Sequence, residues 1–339
     1  GDFTFTVNVS SSTAGCDKEF TITVGGCFID TPATPLFQGL TSSLSRNGAI
    51  ADLLDGGSNG WYYLNHVFQT NGLTLGNQPD TNCVAGGDSF IAGLDSAGNV
   101  YWIDIDTATI RNIGAPNVVP QSMNDNGDFV VTDFGSASFI YNAGANSLSA
   151  NLFASNTFTV LDLNNSRASI GTKPVAGLDH LFIRSSGGVF TDLHPAAGGT
   201  SGPLPGGGGG YKSINSAGHV CGVRLLAGVS RVFANFGGAS IFLSGNLPAG
   251  LSGGVFINES DEVAWIDAST GHLFIYNGIA VDKGFANANS LEGFTDAGVA
   301  VGTGTVNAWI FDGTAFSTLI SKIPSAAADG WTNLQISLG

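Results

Sequence analysis

Ser213-Ile214-Asn215-Ser216-Ala217-Gly218-His219-Val220-Cys221 is one copy of a nine-residue phrase whose recurrence decides the fold. An apolar residue leads into a small polar turn, usually closed by glycine, and a β-prone run leads out. That is the pattern of a hairpin turn between two strands. Six further copies stand at 43–51, 93–101, 122–130, 162–170, 256–264 and 293–301. Their third positions are Ser45, Asp95, Asn124, Asn164, Asn258 and Thr295, and with Asn215 the gaps along the chain are 50, 29, 40, 51, 43 and 37 residues. This spacing matches one four-stranded sheet per phrase, the unit of a β-propeller. The expected fold class is therefore all-β, a seven-bladed β-propeller. An eighth blade, built jointly from the two chain ends, is the alternative count.

Composition agrees with many short strands. The 339 residues include 50 glycines and 23 phenylalanines, and 43 % are apolar against 11 % charged. So little charge with so much apolar content excludes a disordered chain. The net charge of −15, with 11 Lys and Arg and no basic run, disfavours nucleic acid and anionic membrane surfaces as partners. No apolar run reaches the length of a membrane span, which argues against membrane insertion. The chain starts Gly1-Asp2-Phe3 without an initiator Met. With its four cysteines and scarce lysine, it reads as a processed extracellular or cell-surface protein.

Residues 1–30 lie outside the repeat and are expected to form an N-terminal β arm, with the propeller over 31–339. Phe3, Phe5, Val7 and Val9 alternate with polar residues, and so do Phe20, Ile22 and Val24. Period-2 alternation gives two strands with one apolar face. Two strands alone are not stable, so that face must be covered by the chain's own propeller or by another subunit. Residues 331–338 read as one further strand, closing the ring or pairing with the arm. Within each repeat the expectation is an inner strand, the phrase as a turn, then three more strands. In the fifth repeat these are Tyr211–Ile214, His219–Leu225, Arg231–Phe236 and Ser240–Leu243, preceded by a glycine-rich loop over Gly198–Gly210.

The phrase followed by an aromatic strand resembles the HAF repeat of bacterial extracellular proteins. Ser213 to Gly222 matches its Ile-Asn-x-x-Gly-x-Val-x-Gly core. Asp179-His180-Leu181-Phe182-Ile183, followed by Phe190-Thr191-Asp192-Leu193, matches its second half. Residues 271–276 and 307–311 are weaker copies. The likeness covers about residues 36–339 by repeat spacing and departs at the second repeat and at Arg167, which replaces the glycine. It implies a secreted propeller and no shared catalytic residues.

Chemistry-bearing patterns are few. None of His66, His180, His194, His219 and His272 has metal-ligand spacing, and neither a catalytic residue, a metal nor a cofactor is expected. His180 and His272 occupy equivalent repeat positions, which points to a structural role. Asn124-Asp125-Asn126-Gly127-Asp128 resembles part of a calcium loop but lacks the closing glutamate, and reads as a turn. Trp61, Trp102, Trp265, Trp309 and Trp331 could stack on sugars; four lie inside strand patterns, where burial is expected. Asn8, Asn164 and Asn258 open N-glycosylation sequons of the kind an Asn- and Ser-rich chain carries by chance.

Cys16 and Cys27 flank the second arm strand and form the first-ranked disulfide, provided that Gly25-Gly26 bends the segment back. The alternatives are a bridge from Cys83 to an arm cysteine or bonds across subunits, while Cys221 is expected as a buried free thiol. These readings converge on a non-enzymatic structural protein that self-assembles with its own subunits, as a filament or surface layer, through the arm residues Phe3, Phe5, Val7, Val9, Phe20, Ile22 and Val24. A monomeric binding propeller with a glycan ligand, such as a lectin, is the alternative, and a secreted hydrolase or lyase a distant third.

Overall fold

A computed structural model describes residues 3–9, 18–24, 39–44, 50–54, 59–64, 67–74, 84–86, 90–94, 99–104, 106–107, 109–116, 118–133, 138–149, 159–202, 213–284, 288–304, 307–322 and 334–336. Among these residues there is no α-helix, and a 3-10 turn at Leu319–Lys322 is the only helical element. The rest is antiparallel β structure: seven sheets of four strands and one of three.

The chain separates into two compact units. The first comprises Gly1–Asn156, Gly208–Gly210 and Ile320–Gly339. It opens with β1 (Phe3–Val9) and β2 (Lys18–Val24), which pair in register, Phe3 opposite Val24, Phe5 opposite Ile22 and Val7 opposite Phe20. Three four-stranded meanders follow. The first is β3 (Gly39–Leu44), β4 (Ile50–Leu54), β5 (Asn59–Leu64) and β6 (Val67–Thr74). The second is β7 (Val84–Gly86), β8 (Phe90–Leu94), β9 (Asn99–Asp104) and β10 (Thr109–Pro116). The third is β11 (Val118–Met123), β12 (Phe129–Asp133), β13 (Ser138–Asn142) and β14 (Ser147–Leu148).

The second unit comprises Thr157–Gly207 and Tyr211–Leu319. Its first two sheets are β15 (Thr159–Leu163), β16 (Ser169–Val175), β17 (Leu178–Arg184), β18 (Phe190–Asp192), then β19 (Thr200–Gly202), β20 (Val220–Leu226), β21 (Val229–Asn235), β22 (Ile241–Phe242). The other two are β23 (Phe256–Ile257), β24 (Val263–Asp267), β25 (His272–Asn277), β26 (Ile279–Gly284), then β27 (Ala288–Phe294), β28 (Ala300–Gly304), β29 (Trp309–Phe311), β30 (Phe316–Thr318). The last strand, β31 (Leu334–Ile336), belongs to the first unit and pairs with β1, so both ends of the chain share the sheet β2-β1-β31. Of the two expectations for residues 331–338, pairing with the arm is the one observed.

The cores lie between successive sheets, as a repeat architecture requires. Leu181 and Ile170 pack with Val220 and Phe233, Val223 and Val232 with Ile257 and Trp265, and Ile266 and Leu273 with Leu291 and Trp309. In the first unit Trp102 packs with Phe129 and Tyr141.

Two expectations need correction. The phrase at 93–101 joins β8 to β9, the second and third strands of its sheet, whereas the other described phrases join first to second. The turn between the first two strands there is the short link from Gly86 to Phe90, so the unusually close spacing of the second copy came from matching the wrong hairpin. In the fifth repeat the first strand is β19, inside the stretch expected to be a glycine-rich loop. Ile214 contributes only an isolated bridge to Val220. The seventh repeat ends in the hairpin of β29 and β30.

Candidate functional site

Five phrase turns are described, and they share one geometry. The third residue's N–H donates to the carbonyl four residues on: Asn124 to Asp128 at 2.9 Å, Asn164 to Ala168 at 2.9 Å, Asn215 to His219 at 3.0 Å, Asn258 to Glu262 at 3.0 Å and Thr295 to Val299 at 2.9 Å. Its carbonyl accepts from the residue three on, which in every copy has positive φ: Gly127, Arg167, Gly218, Asp261 and Gly298. This is the three-residue hairpin loop with one left-handed residue, the reason for the recurrent glycine. Three residues before the third position the register slips at one residue, between Thr41 and Ser43, Pro120 and Ser122, Val160 and Asp162, and Leu291 and Gly293. A β-bulge therefore recurs with the turn.

The asparagine at the third position does two jobs. Its Oδ1 accepts backbone N–H groups inside the turn, from Ser166 and Ala168 at 3.1 and 3.0 Å in one copy and from Ser260 and Glu262 at 3.0 and 2.8 Å in another. In three copies its Nδ2 reaches the next repeat. Asn164 donates to the Asn215 carbonyl at 3.0 Å, Asn215 to the Asn258 carbonyl at 3.1 Å and Asn258 to the Thr295 carbonyl at 3.0 Å. A relay of buried amides thus joins four turns of the second unit. Asp261, which takes the glycine's place, accepts from Asn215 Nδ2 at 2.8 Å and from His219 Nδ1 at 2.7 Å. Because Asn164 and Asn258 are buried with both amide atoms engaged, neither sequon presents a free acceptor. The Asn124–Asp128 stretch is likewise a turn, and Asp128 Oδ1 accepts from the Ala143 N–H at 2.9 Å.

The histidines were legible by repeat position. His180 Nδ1 meets Asp192 Oδ2 at 2.9 Å and His272 Nδ1 meets Asp282 Oδ2 at 2.8 Å, the same brace in two sheets. Burial alone would raise the Asp282 carboxyl, but hydrogen bonds from His272 and the Gly284 N–H outweigh it and hold the group below the usual aspartate range.

A Ser-His contact was not anticipated. Ser201 Oγ lies 2.7 Å from His194 Nδ1, and His194 Nε2 lies 3.0 Å from the Gly198 carbonyl. A carbonyl only accepts, so Nε2 carries the proton and Nδ1 takes that of Ser201. The Leu181 N–H occupies Ser201 Oγ at 2.9 Å, and the serine is buried. The His194 ring stacks on His180 at 4.0 Å. Burial pushes the His194 imidazole below its ordinary range, and the charges of His180 and Arg224 act in the same direction. The contact braces the β18–β19 connection and does not offer the hydroxyl to solvent. Among the described residues no cluster of three His, Cys, Asp or Glu could hold a metal ion.

Trp102, Trp265 and Trp309 are buried, as strand positions implied. Trp61 lies on β5 and Trp331 outside the described residues. Cys221 is free and buried as expected; Cys16, Cys27 and Cys83 lie outside the described residues. The seven arm residues fall on β1 and β2, and β2 forms one border of its three-stranded sheet.

No family model and no curated protein matches the sequence. Solved structures do match in fold. The Dos1 propeller aligns at TM-score 0.54 and 11 % identity over 83 % of this chain and 84 % of its own. An oligogalacturonate lyase from Vibrio parahaemolyticus aligns at 0.53 and 9 %, covering 89 % and 94 %. A streptogramin B lyase aligns at 0.51 and 10 %, covering 81 % and 93 %. Meandering four-stranded sheets, cores between successive sheets and these alignments make the chain an all-β protein of the β-propeller fold.

Proposed function

We propose that this chain is a non-enzymatic extracellular or cell-surface structural protein that assembles with its own copies through the sheet formed by its two ends. One observation carries the reading. Seven sheets have four strands, whereas the sheet β2-β1-β31 has three among the described residues, with β2 as a border strand. A border strand offers a row of backbone donors and acceptors, and strand addition from a neighbour is a general way to satisfy it. Joined head to tail, such contacts give an open filament. We count one blade per four-stranded sheet, seven in all, and take the sheet of the chain ends as the assembly element rather than an eighth blade. The buried Ser201 and the self-satisfied histidine braces support a role without catalysis. The lyase names belong to neighbours about one-tenth identical, a likeness of fold alone.

Light scattering and electron microscopy of the full chain over a range of concentrations test this. The expected result is mass above the monomer and filaments or sheets. Thr21→Pro, which removes a backbone donor from β2, should suppress them while the far-ultraviolet circular dichroism is retained. A chain that stays monomeric at high concentration, oxidised or reduced, refutes the proposal.

A further inference from the structure

Between Asp192 and Glu259 the sequence holds no aspartate or glutamate, in a chain with 26 of them. That interval contains the sheet β19–β22. On it Arg224 of β20 stands directly opposite Arg231 of β21. Directly opposed residues of an antiparallel pair share a face, and like charges there repel. Both side chains gather at Phe242 of β22, with Arg231 Cζ 3.7 Å and Arg224 Cζ 5.9 Å from the ring centroid.

Neither cation is neutralised. Arg224 is only 8 % exposed. Its Nε and Nη2 donate to the Gly198 carbonyl at 3.1 and 2.9 Å, and Nη2 also to the Ala197 carbonyl at 2.8 Å. Arg231 donates from Nε and Nη2 to the Ser244 carbonyl, both at 3.3 Å. Carbonyl dipoles orient a guanidinium but supply no net charge. Among the described residues no carboxylate lies within ion-pair distance of either arginine, and neither Nη1 has an acceptor. The nearest titratable neighbours do not help. His194 shares the Gly198 carbonyl with Arg224, and Asp192 is taken by His180. A buried cation without a counter-charge is costly unless an anion completes it.

We propose that Arg224 and Arg231 form a binding site for a carboxylate ligand. Two unengaged Nη1 groups on one face, held by carbonyls behind them and by Phe242 beside them, match the two oxygens of a carboxylate. Leu226, on the same face and exposed, would border the ligand's carbon skeleton. The interval 193–258 contributes no acid to the site, and the neighbouring Asp192 is paired with His180. This goes beyond the assembly reading, since it lies in the second unit and needs no second copy.

Isothermal titration of the full chain with sodium glucuronate and sodium acetate, against glucose as the neutral control and sodium sulfate as the rival oxyanion, decides it. Glucuronate and acetate should bind, glucose should not, and added sodium chloride should weaken binding. Arg231→Gln should lose at least about tenfold in affinity, on the scale of a charge-assisted bond, with the melting temperature of the ligand-free protein retained. If that variant does not fold, Arg231→Lys, which keeps the charge but not the fork, should show the loss. Carboxylates binding no better than glucose, or equally well to a folded Arg231→Gln variant, overturn the proposal. Sulfate binding more tightly than both carboxylates overturns the ligand class. Self-association that glucuronate disperses, without saturable binding to the monomer, overturns the free ligand in favour of a carboxylate from another copy.

Discussion

Replacing Asn258 separates the two jobs that the structure gives the third residue of the phrase. The residue is fully buried. Its Oδ1 accepts from the Ser260 and Glu262 N–H groups, while Nδ2 donates to the Thr295 carbonyl at 3.0 Å and to Glu262 Oε2 at 2.8 Å. Alanine would leave two turn donors without a partner and remove one of the two donors to the Thr295 carbonyl, which keeps the Gly298 N–H. Leaving a buried polar group unsatisfied costs about 1–3 kcal/mol, and part of the turn reaches water, so Asn258→Ala should lose about 3–5 kcal/mol. Aspartate is the informative variant. It is nearly the same size, and as a turn-former it equals asparagine, so if the turn were all that mattered the change would be close to neutral. Across the repeat boundary, however, it turns a donor into an acceptor facing a carbonyl and a carboxylate. Asn258→Asp should therefore lose as much as alanine at neutral pH. Burial and Glu262 would raise the new carboxyl's folded pKa, and its protonated form can donate to Thr295. The loss should thus shrink in acid and grow as pH rises past the unfolded value of about 3.9. Denaturant unfolding followed by the fluorescence of the buried Trp265 and Trp309 measures both variants. An Asn258→Asp protein within about 0.5 kcal/mol of wild type at neutral pH, the spread of an ordinary surface change, would refute the relay as a stabilising link between repeats.

Two further outcomes follow from buried titratable groups. Burial raises the Glu292 carboxyl above the usual glutamate range despite a hydrogen bond from Ser290. Its contribution is then full below the unfolded value of about 4.3 and is lost as pH climbs through the folded one. Glu292→Gln should accordingly raise the melting temperature at neutral pH and change little in acid, as calorimetry at both pH values would register. Burial pushes the Cys221 thiol far above its ordinary range, and Sγ faces the Val255 carbonyl at 3.5 Å. Alkylation followed by mass spectrometry should find Cys221 unmodified in native protein and modified after unfolding.

The repeat was legible because its residues answer a local constraint. A left-handed position calls for glycine and a bulged hairpin calls for a short polar turn, so the phrase can be read without knowing what lies beside it. The same locality misled at 93–101, where another hairpin of the same chemistry stands one strand further out in its sheet. It also hid β19, since Thr200–Gly202 lies among glycines and carries no alternation to reveal a strand. The arm strands were legible from period-2 alternation, and their pairing with residues 331–338 stood as one of two expectations for that strand. Pairing of Val7 with Ile336 joins opposite ends of the chain, and nothing in either segment names the other.

What the sequence could not show is anything that depends on which repeats face each other, and the arginine pair makes the reason plain. Arg224 and Arg231 are separated by a tight hairpin, so their opposition depends on register: slipping the pair by one residue would put them on opposite faces. The missing acids between Asp192 and Glu259 are visible in the sequence, yet such a gap gains meaning only once the sheet places two cations side by side. The asparagines show the same division. Their recurrence at the third position is explained by the turn alone, since Ser, Asp and Thr fill that position elsewhere and form turns as well. Only an amide can accept within its own turn and also donate both amide hydrogens, which is what Asn215 does toward the Asn258 carbonyl and Asp261. A hydroxyl has one hydrogen and a carboxylate has none. The relay therefore runs through Asn164, Asn215 and Asn258 and ends at Thr295, whose Oγ1 accepts from the Val299 N–H at 3.0 Å. The choice among turn-forming residues thus encodes contact between repeats.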